Sequence, residues 1–201
     1  MKLSIKMDEL NYGDVFIKLA RFLAVIPGEY SGPYGKKVSE MTELPSFQIR
    51  NLCSALSDEE KAELLSGFAS ECKESLLQII NQELRHQQIN VTATDFTIDR
   101  DLNVTAQCSQ LDYPSLVGKF LPAVRKRLIK TGGAAALLRP VIEKASAEQV
   151  CGFIDRFLGS NKDAFLASMI NQNQRKIISL IEKIAEKEHL RLTVASVQAE
   201  A

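Results

Sequence analysis

The chain has 201 residues, 45% hydrophobic and 25% charged, which is long enough to bury a core without disulfide or metal staples. The 25 Lys and Arg balance the 25 Asp and Glu, so net charge gives no reason to expect a nucleic-acid or membrane partner. The opening MKLSIKMDEL is too broken by charge for a signal peptide, and no stretch approaches the roughly 18 apolar residues of a membrane span. The expected location is the cytoplasm. Cys53, Cys72, Cys108 and Cys151 stand far apart, with no CxxC and no nearby histidine, and read as buried thiols. Asn90-Val91-Thr92 and Asn103-Val104-Thr105 match the glycosylation acceptor pattern, but without a secretion signal they read as strand.

The first element is a half-buried strand, in which Leu3, Ile5 and Met7 alternate with Ser4 and Lys6. Asn11 is a good N-cap for a helix over 12–26. GEYSGPYGKK (28–37) follows and reads as a long turn. It is no Walker A loop: the glycine spacing is wrong and Val38 stands where Ser or Thr belongs. A tyrosine- and glycine-rich loop suits partner contact, which makes Tyr30, Tyr34, Lys36 and Lys37 the contact candidates. A short helix near 46–56 precedes SDEEKAELLSGF (57–68), which opens as a capping box with Ser57 and Glu60. A longer helix spans 70–87. Two Val/Ile/Thr-rich strands, 89–98 and 102–111, then flank Asp99-Arg100-Asp101 as a hairpin.

The second part repeats this order. Asp112 and Pro114 start a helix over 113–130, which Pro122 kinks or splits. A short helix near 135–145, a capping box at Ser146 and Gln149, a helix over 162–188 and a strand over 190–197 follow. LSIKMDELNYGDVFIKLARFL (3–23) lies over VTAQCSQLDYPSLVGKFLPAV (104–124) at an offset of 101, and INVTA (89–93) over LRLTV (190–194) at the same offset. Between them, 70–82 lies over 160–172 at 90, and Ser57 and Phe68 over Ser146 and Phe157 at 89. The drop reads as about a dozen extra residues near 28–37 in the first copy, regained in the last helix of the second. The expected fold is α+β. Two related halves of strand, helices and strand, 1–98 and 99–201, share one four-stranded, mainly antiparallel sheet as a single structural unit.

Residues 113–142 contain no acid but carry Lys119, Arg125, Lys126, Arg127, Lys130 and Arg139. Thr131, Gly132 and Gly133 lead into a helix start, whose free N–H groups suit an anion. Glycine after a helix is also the standard C-cap, and the cations suit a helix C-terminus, so capping is the stronger reading. Lys119, Arg125, Lys126, Lys130, Thr131, Gly132 and Gly133 remain the anion-site candidates. His86 and His189 each end a helix before a strand and read as C-terminal caps. They form no metal site, and no GxSxG, HExxH or GxGxxG is present, so no catalytic residue and no cofactor is expected. Ile177, Ile178, Leu180, Ile181 and Ile184 give the last helix a wide apolar face, read as core or as a homodimer surface.

These readings point to a non-catalytic binding or protein-interaction protein, with a protein partner or a second copy bound. A small phosphate- or carboxylate-bearing ligand at 119–133, bound by a regulator or an enzyme, is the second reading. Nucleic acid is a weaker third, since the chain has no Trp and two of its four Tyr fall in the 28–37 stretch.

Overall fold

The computed structural model describes residues 1–25, 30–86, 91–109, 118, 121–122 and 144–201. The architecture is α+β, as expected: helices pack on one four-stranded antiparallel sheet. Its strands are β1 (Lys2–Leu10), β2 (Thr92–Ile98), β3 (Asn103–Ser109) and β4 (Leu192–Glu200), in the order β2-β3-β1-β4. Directly opposed residues share a face. Leu3 lies opposite Ala106 and Ala199, Ile5 opposite Val104 and Val197, and Phe96 and Ile98 complete the row on β2. That face is apolar throughout. Lys2, Ser4 and Lys6 meet Gln107, Thr105 and Asn103 on the other, polar face. The alternation read in LSIKM therefore sets the register of the whole sheet, because a one-residue slip would invert both faces.

Both outer ladders are interrupted at one matching place, and β1–β4 shifts a second time between Met7 and Glu9. The β2–β3 register shifts between Ala93 and Asp95, and the β1–β4 register between Lys6 and Met7, where Val194 and Ser196 take consecutive partners. The skipped residues are Thr94 and Ala195. A bulge of this kind reverses the facing of everything beyond it. Val194 and Val197, three apart, are consequently both buried.

The helices of the first part are α1 (Tyr12–Leu23), α2 (Pro33–Glu40), α3 (Ser46–Ala55), α4 (Asp58–Glu71) and α5 (Lys73–His86). Those described after β3 are α6 (Ala147–Leu158), α7 (Lys162–Gln172) and α8 (Gln174–Lys187). The capping boxes form as read: the Ser57 hydroxyl accepts from the Glu60 N–H at 3.2 Å, and Ser146 from Gln149 at 3.2 Å. Two expectations need correction. Pro33 opens α2, so only the first part of the 28–37 stretch is a turn. The Glu71 carboxylate accepts from the N–H groups of Tyr34 and Gly35 at 3.0 and 2.7 Å, satisfying the start of α2 from 36 residues away. The expected 162–188 helix is two helices that meet at Asn173, whose side-chain amide donates to the Met169 carbonyl at 2.9 Å. The helices expected over 113–130 and 135–145, with the break at Pro122, lie almost wholly outside the described residues.

The core gathers Phe16, Val38, Ile49, Leu64, Leu65 and Phe68 from α1 to α4. Tyr34 packs on α4, and its hydroxyl donates to Glu63 at 2.8 Å. Gly67 makes room for that ring: a Cβ there would lie 2.5 Å from Tyr34 Cδ2. Side chains also close the two sheet edges. Asn81 on α5 both donates to and accepts from the backbone of Ala93 on β2, at 2.9 and 2.8 Å. On β4, Asn171 does the same to Ala199 at 3.0 and 2.8 Å, Glu182 accepts from the Val194 N–H, and Gln174 donates to the Val197 carbonyl.

His189 follows α8 with φ 56°, in the left-handed region. The Leu190 N–H reaches back to the Ala185 carbonyl at 2.8 Å, so the residue caps the helix through its backbone.

Two stability outcomes follow from this packing. Gly67→Ala, although alanine favours helix, will destabilise the fold by about 1–2 kcal/mol in urea titrations through overpacking. His189→Gly will stabilise it by about 0.5 kcal/mol, since glycine adopts this backbone without strain.

Candidate functional site

β1 ends at Leu10, and Asn11 turns the chain into α1. The Asn11 side chain accepts from the Asp14 N–H at 3.0 Å, while its backbone N–H donates to the Arg191 carbonyl at 2.9 Å. The first turn of α1 is thus tied to the entry of β4. Gly13 lets α3 come close, because a Cβ there would meet Arg50 Cγ at 3.2 Å. These constraints converge on Asp14, the one buried charged residue among those described.

Both Asp14 carboxylate oxygens are engaged. Arg50 Nη2, from α3, donates to Oδ1 at 3.1 Å, and Arg191 Nε donates to Oδ2 at 2.9 Å. Burial alone would raise the Asp14 pKa, but the hydrogen bonds and charges of Arg191 and Arg50 outweigh it and hold the carboxyl below its ordinary range. The same pairing pushes Arg191 up. The two arginine side chains are well exposed, at 57% and 73%. A buried carboxylate therefore holds one N–H of each of two largely exposed arginines.

Two clefts share Arg50. One, of about 290 Å³, is lined by Asn11, Tyr12, Ser54, Lys61 and Arg191 around it. The other, of about 410 Å³, lies between α1, the start of α3 and the end of α8, with Lys18, Arg21, Phe22 and His189. The first also contains Cys53, whose thiol is pushed up by burial, and Tyr12, whose phenol is pushed up by burial and by the Asp58 charge. Neither group is poised to lose a proton near neutral pH.

The anion-site candidates Lys119, Arg125, Lys126, Lys130, Thr131, Gly132 and Gly133 lie outside the described residues. Of the contact candidates, Tyr30 and Tyr34 pack against the chain's own core, while Lys36 and Lys37 are exposed on α2. Nothing in the local sequence singles out Asp14, Arg50 or Arg191. An acid in a helix's first turn is a common feature, and its partners stand 36 and 177 residues away, so no local signal marks the cluster. Among the described residues, no three or more His, Cys, Asp or Glu could hold a metal ion, and no helix is long and apolar enough to cross a membrane. No protein-family model matches the chain, and no curated protein or solved structure matches it.

Asp14→Asn tests the clamp. A carboxyl held low in the folded state stabilises fully above the ordinary carboxylate value of about 4, and that stabilisation is lost as pH falls below it. The variant will lose about 2 kcal/mol at pH 7, and its melting temperature will fall less steeply than wild type as pH drops below about 4.

Proposed function

We propose that the protein is a non-catalytic binding protein which recognises a carboxylate- or phosphate-bearing group at the arginine pair anchored by Asp14. The observation that carries this reading is the orientation of Arg50 and Arg191. Each gives one N–H to Asp14 and is more than half exposed. A guanidinium has five donors in a rigid fork suited to carboxylate and phosphate, so each retains donors for a ligand. Pre-fixing two such forks lowers the ordering cost of binding. The absence of chemistry is argued from the groups present. Asp14 is held ionised with both oxygens engaged, so it is a poor general base, and burial keeps Cys53 protonated and weakly nucleophilic.

The second reading places an anion at residues 119–133. One observation favours it. Glu71 fills the start of α2 with an internal carboxylate, and the residue 101 positions further on is the neutral Gln172. The protein-partner reading keeps Lys36 and Lys37 as contacts, and Leu180 and Ile184, 57% and 53% exposed on α8, as a self-association surface.

The two-halves reading belongs here as well, with one revision. Several elements stand 101 residues apart: α5 starts at Lys73 and α8 at Gln174, each 14 residues long, and α3 starts at Ser46 and α6 at Ala147, while β2 and β4 start 100 apart and α4 and α7 start 104 apart. Ser4 pairs with its own counterpart Thr105 at the sheet centre, and the bulges at Thr94 and Ala195 correspond. Leu64 and Phe68, both core, have the apolar counterparts Phe165 and Met169. This spacing supports one duplicated unit, halves 1–98 and 99–201. On this proposal the 101-residue spacing takes the place of the offsets of 89 and 90 and of an insertion at 28–37. Four cysteines held as thiols fit a reducing, cytoplasmic setting.

Calorimetric titration of purified protein with phosphate and with glutarate, at low and high salt, tests the site. At least one anion will bind, more weakly at high salt, and Arg191→Lys, which keeps a cation beside Asp14 but loses the guanidinium fork, will weaken binding at least tenfold while losing less melting temperature than Asp14→Asn. Binding unchanged in Arg191→Lys moves the ligand to 119–133. No binding of either anion overturns both anion readings.

A further inference from the structure

The 410 Å³ cleft beside Arg50 combines charge with exposed apolar surface in a way that a small anion does not use. Its wall carries Lys18, Arg21 and Arg50 together with Ile17 and Phe22. Lys18 is held by Glu188 at 2.8 Å and Arg50 by Asp14 at 3.1 Å, but Arg21 makes no ion pair among the described residues and touches only the Ser46 hydroxyl, at 3.5 Å. Among the described residues Arg21 is thus a cation on the cleft wall with no paired carboxylate.

Phe22 lines the cleft and is 45% exposed. Two more exposed large apolar residues adjoin cleft segments in sequence: Val25, 80% exposed and two residues past the end of α1, and Phe47, 62% exposed and next to the cleft-lining Ser46 at the start of α3. The 3.5 Å contact between Arg21 and Ser46 joins these two helix ends. Apolar groups gathered at the rim of a charged cleft mark an interaction surface, whereas scattered ones carry no meaning.

We infer that this cleft binds an acidic peptide segment of a partner protein, with a carboxylate against Arg21 and Arg50 and an adjacent apolar side chain against Phe22 and Phe47. The inference rests on the reading of Arg50 as an anion ligand and extends it to a partner class. A lone carboxylate or phosphate in the cleft would leave Phe47 and Val25 in water, while a chain continuing over the rim covers them. Nucleic acid fits less well: it is held by neutralising many cations, and two of the three described here, Lys18 and Arg50, are already paired with Glu188 and Asp14.

Fluorescence anisotropy with labelled peptides tests this directly. The probe is a short peptide of glutamates flanking one leucine and one phenylalanine. Its controls are the same peptide with lysine for glutamate, an all-glutamate peptide, a single-stranded oligonucleotide, and unlabelled glutarate as a competitor. The acidic apolar peptide will bind at least tenfold tighter than the all-glutamate peptide, and the lysine peptide will not bind. Phe47→Ser, at an exposed position, will weaken the peptide about tenfold, the scale of one interface anchor, and leave glutarate affinity unchanged. Arg21→Glu will abolish peptide binding at an unchanged melting temperature. If glutarate binds but the apolar peptide gains nothing, or Phe47→Ser changes nothing, the peptide inference falls and the arginine-pair reading stands. If neither glutarate nor any peptide binds, both fall. An oligonucleotide that binds tighter than the peptide overturns the partner class. A concentration-dependent dimer in sedimentation, lost in Phe47→Ser, would assign the surface to a second copy and overturn it equally.

Discussion

β1 lies between β3 and β4, hydrogen-bonded to both, and most of the architecture depends on that position. Its two partners come from the middle and the far end of the chain: Lys2 opposes Gln107 on one side and Glu200 on the other. The sheet therefore cannot close until the last strand has been made and brought back. Contacts this distant in sequence carry a large loop-closure cost before they return any stabilisation, which predisposes such a fold to slow formation. Helices α1 to α4 offset this by packing a core among themselves from neighbouring segments, with Phe16, Val38 and Phe68 fully enclosed.

The Asp14 cluster stands where these two kinds of order meet. Asn11 couples the end of β1 to the entry of β4, α1 carries Asp14 inward, and α3 delivers Arg50 across Gly13. One carboxylate thereby ties a helical contact 36 residues away, Arg50, to one 177 residues away, Arg191. Two positive charges side by side would repel, and the shared acid between them makes the arrangement tolerable. The same electrostatics that stabilise the joint leave a cationic surface at its exit, so the proposed ligand would bind where the sheet ends and the helical layer begin to share a residue.

What the sequence revealed was whatever is encoded locally. The alternation of Leu3, Ile5 and Met7, the hairpin around Asp99, and the capping boxes at Ser57 and Ser146 each need only a few neighbouring residues, and each is found. The errors occur where a distant group decides the outcome. GPYG looks like a turn, yet it begins a helix because Pro33 suits the first helical position and Glu71 supplies an acceptor for the free N–H groups. The break at Asn173 was hidden inside an unbroken apolar period. The arginine pair had no local signature at all.

The side chains that close the sheet edges carry a consequence for how the protein behaves in company. An open edge strand presents a row of unpaired amides, a template on which another chain can polymerise as cross-β fibre. Here Asn81 occupies both backbone groups of Ala93, and Asn171, Gln174 and Glu182 occupy the outward groups of Ala199, Val197 and Val194. An incoming strand would first have to break bonds already made on either flank. At these positions a lengthening sheet would have to displace the protein's own helices.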